Sequence, residues 1–197
     1  MKKMLIAALG LVSVSSYAEL SSNLTLASDY VWRGQSRTDG PAILGGFEYN
    51  ADSGYYVGIW GSNVDFSDGN GQELNYYAGF DFNINDSVTG DLGFLYYDYP
   101  NASTDLDYGE AILELNISDF TLQYAYDTDD ELYYIEASYS KSGVTLAVGN
   151  SESCGTNVTA SYVFDCGEYE CGITAYTFDA EKPTFKDEDG LFFSISA

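Results

Sequence analysis

The sequence contains no histidine. That removes Ser-His and Cys-His nucleophile pairs and every imidazole metal ligand. Positive charge is almost as scarce, with 7 Lys and Arg against 31 Asp and Glu and a formal net charge of −24. Nucleic acid is excluded as a partner, because binding it depends on cationic contacts to phosphate. Carboxylates alone can act as a general acid and base, and Asp29, Asp81, Asp91, Glu114 and Glu136 would have to share one cavity to do so. The same residues serve as the polar wall of a cavity without any further assumption, and no enzymatic activity is expected. The acidic stretches "DTDDE" (127–131) and "KDEDG" (186–190) lack the ligand spacing of an EF-hand loop and read as solvated loops. No cofactor and no metal is expected.

Long apolar runs are missing too, with one exception. Lys2 and Lys3 precede the run Met4 to Val14, and Ser16-Tyr17-Ala18 follows it, which is the pattern of a secretory signal peptide over residues 1–18, cut after Ala18. The run is too short for a transmembrane helix, which takes about 20 residues. Nothing after it approaches the roughly 18 consecutive apolar residues of such a helix. Cysteine is limited to three residues, leaving one unpaired in an oxidising compartment. Cys166 and Cys171 flank a tight turn and are the expected disulfide, with Cys154 as the odd thiol in a loop. Closing so short a loop contributes little on the chain-entropy argument.

What the chain has in abundance is aromatic residues: 19 Tyr, 11 Phe and 2 Trp, within 45% hydrophobic content. Such a composition builds ordered structure despite the acidity. Its apolar residues recur with period two and not 3.6. Leu24, Leu26, Tyr30 and Trp32 form the first such row, Tyr76 to Ile84 and Leu92 to Tyr96 later ones, and Leu191, Phe193 and Ile195 the last. Roughly twelve strands of about 8 to 12 residues result, the length of tilted transmembrane β-strands.

The connections alternate in length. Those after even strands are tight ("NADSG", "NIND", "NISD", "KSG", "DCGEYE"). Those after odd strands are mostly longer ("RGQSRTDG", "DFSDGNGQ", "DYPNASTDLDYG", "NSESCGTN", "DAEKPTFKDEDG"), with "DTDDE" as the exception. An even strand number with short turns at one end and long loops at the other is the plan of an outer-membrane barrel, and a sheet in lipid must close to satisfy its backbone. The rows opposite the apolar ones carry Asn23, Asp29, Glu48, Asn75, Asp81, Asp91, Glu114, Gln123 and Glu136. The alternation by itself also fits a soluble secreted barrel or sandwich with its apolar row inside. Signal peptide, turn parity and tyrosines suited to bilayer interfaces point to the membrane.

Within this frame "SDYVWRGQSRTDGPAILGGFEYN" (28–50), followed by "SGYYVGIWGSNVDF" (53–66), resembles the N-terminal signature of the TorF family of bacterial outer-membrane porins. Ser28, Asp29, Tyr30, Arg33, Gly34, Ser36, Pro41, Ala42, Gly45, Gly46, Ser53, Gly54, Tyr56, Gly58, Trp60, Ser62, Asn63, Val64 and Asp65 match it. Arg37 and Leu44 stand where the family tends to have Gln, and the chain ends "LFFSISA", without a terminal aromatic. The resemblance implies a porin-like role and brings no substrate with it.

The expected fold is therefore an all-β, closed antiparallel transmembrane barrel over residues 19–197, with both termini periplasmic and the longer loops extracellular. Its expected function is passive diffusion of small cationic or neutral solutes across the bacterial outer membrane, its partners being membrane lipid and those solutes. The alternative is a non-conducting structural or adhesive barrel. The candidate lumen residues are Asp29, Arg33, Arg37, Glu48, Asp81, Asp91, Glu114 and Glu136. Arg33 is expected on the first strand, projecting inward near the outer mouth as a counter-charge two strand positions from Asp29, and Arg37 at the entrance as a weaker, screened gate.

Overall fold

The computed structural model describes residues 19–66, 71–100, 102, 106–152 and 154–197. The expected signal peptide lies outside these residues. Every regular element among them is a strand: β1 (Glu19–Ala27), β2 (Val31–Trp32), β3 (Gln35–Ser36), β4 (Ala42–Asn50), β5 (Tyr55–Asn63), β6 (Gln72–Asn85), β7 (Val88–Asp98), β8 (Tyr108–Ile117), β9 (Phe120–Asp127), β10 (Tyr133–Lys141), β11 (Val144–Ser151), β12 (Gly155–Asp165), β13 (Glu170–Ala180) and β14 (Glu188–Ser196).

Twelve of these close into one antiparallel barrel, in which each strand pairs with its sequence neighbours and β1 joins β14. The remaining two, β2 and β3, pair only with each other. Closure joins the first and last strands of the sheet, so that backbone groups are paired round the circumference except beside the β1–β14 seam.

Period-two alternation sorts the side chains. Leu20, Leu24, Phe47, Val57, Leu92, Phe94, Leu146 and Leu191 stand exposed on the outside, while Thr25, Tyr56, Trp60, Asn75, Asp91, Glu114 and Asn157 are buried on the inside. Exposed apolar surface of this extent is the mark of a face that meets another apolar surface or a membrane.

At one end the connections are tight: Ser142–Gly143 alone joins β10 to β11, and Ser118–Asp119 joins β8 to β9. Cys166 and Cys171 close the β12–β13 turn with a disulfide whose Cα atoms are 5.8 Å apart. Longer segments gather at the opposite end, 28–41 foremost. The connection from β11 to β12 is shorter than the spacing suggested, because β11 continues to Ser151 and β12 resumes at Gly155.

The wall has one short joint. β12 and β13 pair from Gly155↔Ala180 to Asp165↔Glu170, but β1 meets β14 only from Thr25↔Ser196 to Ala27↔Ser194, extended by reciprocal Leu24–Ala197 backbone bonds and a bond from Ser28 N to the Phe193 carbonyl. The joint is bounded on one side by β14 stopping at Ser196, opposite Thr25, and on the other by β1 leaving the wall after Ala27. Tyr30 and Trp32 do not continue the outward row of Leu24 and Leu26, as the alternation suggests. Both turn into the barrel, where Tyr30 is buried.

Candidate functional site: a segment folded into the lumen

Residues 28–41 form the loop after β1, and they run inward across the barrel. At their tip β2 and β3 make a minimal hairpin, with Val31 opposite Ser36 and Trp32 opposite Gln35. Its turn residues, Arg33 and Gly34, have φ of 49° and 79°, the positive pair of a type I′ turn. Gly34 is required twice over. Beyond the left-handed backbone, a Cβ there would stand 2.6 Å from the Asn157 Cβ and 3.0 Å from the Thr177 carbonyl oxygen.

Asp29 organises the base of the segment. Its Oδ1 accepts from Ser36 Oγ at 2.7 Å, and Thr38 Oγ1 lies 2.9 Å from the same oxygen. The Thr38 hydroxyl oxygen in turn accepts from Tyr30 N, and Arg37 N donates to the Tyr30 carbonyl. Asp29 is thus spent on loop geometry and makes no ion pair with Arg33.

Arg33 reaches β8 instead. Its Nη1 and Nη2 donate to Glu110 Oε1 and Oε2 at 2.7 and 2.9 Å, the two-pronged geometry that a guanidinium and a carboxylate share. Tyr97 of β7 also donates to Glu110. The guanidinium lies between the rings of Trp32 and Tyr134 of β10, 4.2 and 4.0 Å from their centroids. Arg37 covers the other neighbours of Trp32, 4.5 Å from that ring and 5.8 Å from Phe66. Burial, the largest single effect, lowers the pKa of Arg33, but Glu110 together with Tyr97 and Tyr108 outweighs it and holds the pKa above its ordinary value. Arg37 is likewise held up against burial by the Tyr99, Tyr108 and Tyr30 phenols and the Glu73 carboxylate. Both remain charged while out of bulk water.

The remaining contacts run round the wall. The Tyr30 hydroxyl donates to Glu73 of β6 at 3.1 Å, and its ring packs on Trp60 of β5. Burial first and Glu73 second push the Tyr30 pKa well up, so the phenol keeps its proton. Trp32 packs on Tyr97, which stacks on Tyr108 at 4.4 Å. Val31 lies with Tyr176 and Phe192 of β13 and β14, and Ser36 N donates to Glu188 of β14. One fourteen-residue segment therefore bridges to strands on every side of the barrel.

A second group of polar residues lies in the wall. Cross-strand partners run from Asp81 to Asp91, Glu114, Gln123 and Glu136 on β6 to β10. Asp91 and Glu114 are 2% and 1% exposed. Asn116 and Gln123 donate amides to Glu114, and Tyr134 donates its hydroxyl to Glu136. Glu48 of β4 accepts from Asn50.

A family model matches residues 12–177, from before β1 into β13. The chain belongs to the Gcw_chp family. That family is described as a bacterial protein of unknown function. Among solved structures, one described as KdgM porin shares the architecture, with a TM-score of 0.62 at 9% identity over 89% of this chain and 96% of that one. At that identity the likeness is one of fold. Comparison with curated proteins finds no match. The match to the Gcw_chp model takes in the inward segment, Glu110 and the row from Asp81 to Glu136.

Of the residues singled out from the sequence, the structure gathers Arg33 and Arg37 around Trp32, and Asp81, Asp91, Glu114 and Glu136 into one row. Asp29 stays at the segment's base, and Glu48 stands on β4, two strands from Asp81 on β6. Glu73, Glu110 and Glu188 were not singled out, although they anchor the segment. Glu110 sits four residues before Glu114 on the same strand, in phase with it, and that parity was the available signal.

Proposed function

We propose that this chain is an outer-membrane, porin-like channel for small cationic or neutral solutes, with residues 28–41 as its constriction. The observation that carries the reading is the inversion of polarity in a closed wall: apolar side chains face out all round, and the interior carries carboxylates in excess. Closure and an apolar belt suit a bilayer, where no unpaired backbone group is tolerated. The likeness of fold to a porin and the resemblance of residues 28–66 to the TorF porins support the same reading.

Among the described cations, Arg33 is taken up by Glu110 and Arg37 is held over Trp32. The other interior carboxylates have no basic partner at hydrogen-bond distance among the described residues. A pore lined by net negative charge favours cations. The test is a planar bilayer under a KCl gradient: the reversal potential should take the sign of cation selectivity. Anion selectivity would refute the assignment of the acidic row to the pore.

A second reading, a non-conducting structural barrel, draws on one observation. The inward segment contacts β5 to β8, β10 and β12 to β14, leaving little room at its level. Absence of current both in the native protein and in a variant lacking the segment's tip would favour it.

A further inference from the structure

We infer that the inner wall holds a partly hydrated divalent cation between the carboxyl groups of Asp81 and Asp91, with Glu114 as the adjoining third negative group. This deepens, and rests on, the reading of the barrel interior as a lumen that cations enter.

Asp81, Asp91 and Glu114 are direct partners on three successive strands, β6, β7 and β8. Opposite partners in an antiparallel pair hold their Cβ atoms only about 4.5–5.5 Å apart, and like charges so placed repel unless something positive stands between them. The Asp81 and Asp91 side chains stand opposite each other on one face of the wall. Glu48 adds a further negative charge facing Asp81 from β4.

The protein supplies neutral donors here. The Tyr56 hydroxyl donates to Asp91 Oδ1 at 3.0 Å. It can stand there because Gly79 and Gly93 beside it have no side chain, a Cβ on either falling 2.2 or 2.7 Å from that hydroxyl. Glu114 receives the Asn116 amide at 3.0 Å and the Gln123 amide at 3.5 Å. The second oxygen of Asp91 receives no hydrogen bond from a neutral or basic donor among the described residues, although the residue is only 2% exposed. A buried carboxylate oxygen without a donor, on a group held by a tyrosine and paired across the strands with a second carboxyl, calls for a positive ligand. Asp81 remains exposed to the lumen and offers the way in.

Oxygen donors in this number suit a hard divalent ion such as Mg²⁺, Mn²⁺ or Ca²⁺. No three acidic groups among the described residues are arranged to enclose a bare ion. Two carboxylates with water completing the shell is a mode Mg²⁺ commonly adopts.

The experiment is a Mn²⁺ titration of the refolded full chain in detergent, followed by loss of the free-ion EPR signal, which needs no conductance. The expected result is one saturable site lost in both Asp91→Asn and Asp81→Asn, weakened about tenfold in Tyr56→Phe, and kept in the loop variant Asp129→Asn/Asp130→Asn. Heat-modifiable gel mobility checks that each variant is folded. Binding that survives both wall substitutions and disappears with the loop pair would overturn the inference. So would an absence of saturable binding together with an infrared carboxylic-acid band, at neutral pH, that vanishes in Asp91→Asn, since the pair would then be sharing a proton. Mn²⁺ bound at the wall of a barrel that passes no current would leave the inference standing and sink the channel reading alone.

Discussion

The turns Ser142–Gly143 and Arg33–Gly34 have the same backbone, with φ of 52° and 82° in one and 49° and 79° in the other, yet they are held by different forces. The first joins β10 and β11, which are paired from Lys141↔Val144 to Tyr134↔Ser151. A long ladder enforces the turn, and the ion pair beside it, Lys141 with Asp119, is exposed. The second joins strands of two residues each. So short a hairpin has no stability of its own in water. Side-chain contacts with the surrounding wall must hold it, and its ion pair is correspondingly buried and two-pronged. In the wall, backbone pairing specifies the turn and side chains follow. Inside the lumen the side chains specify the turn.

Substitutions that strike side chains should therefore separate the two hairpins. Arg33→Ala removes the only basic partner that Glu110 has among the described residues, and stranding a buried charge costs about 3–5 kcal/mol. The loss should fall on the segment before the wall: residues 28–41 should become open to protease in the folded barrel, and conductance should rise. Unchanged protection would contradict a side-chain-held hairpin.

Gly34→Val forces a β-branched residue into positive φ and against Asn157. A cost of about 2–3 kcal/mol is expected, again with protease cleavage within 28–41 as the readout and retained heat-modifiability as the control. Tyr134→Leu removes one of the two rings flanking the Arg33 guanidinium. Its expected cost is smaller, about 1–2 kcal/mol, visible as a modest gain in cleavage and a small increase in open-channel noise. At the bottom of the scale, Lys141→Ala breaks an exposed pair beside the wall turn and should leave thermal stability and conductance where they were. A measurable loss there would mean that the two hairpins differ less than their surroundings indicate.

Most of the wall was legible in the sequence, because period two with an apolar face outward and a polar face inward leaves little freedom. Leu92, Phe94 and Tyr96 face out while Asp91, Leu95 and Tyr97 face in, and a slip of one residue would reverse all six. The same rule misplaced Tyr30 and Trp32. Alternation extrapolates only while the chain stays in the sheet, and nothing local says that it leaves after Ala27. Arg-Gly is not among the strong two-residue turn signals, which favour Asn-Gly or Asp-Gly. The partner of Arg33 was hidden for a related reason. Asp29 is near in sequence, but Glu110 is brought near by closure of the barrel, 77 residues on. Which of several in-phase carboxylates meets an inward loop depends on strand register around the whole circumference, and that is a property of the closed sheet.

The central claim is that a segment folded into the lumen forms the constriction of a channel. Its most direct test is single-channel conductance of the native chain beside a variant in which residues 31–36 are replaced by a flexible Gly-Ser linker, both refolded and heat-modifiable. The account predicts a small native conductance that rises several-fold in the variant, with cation selectivity kept because the row from Asp81 to Glu136 is untouched. Equal conductance in the two proteins would show that the hairpin does not set the pore, and no current in either would show that there is no pore for it to set.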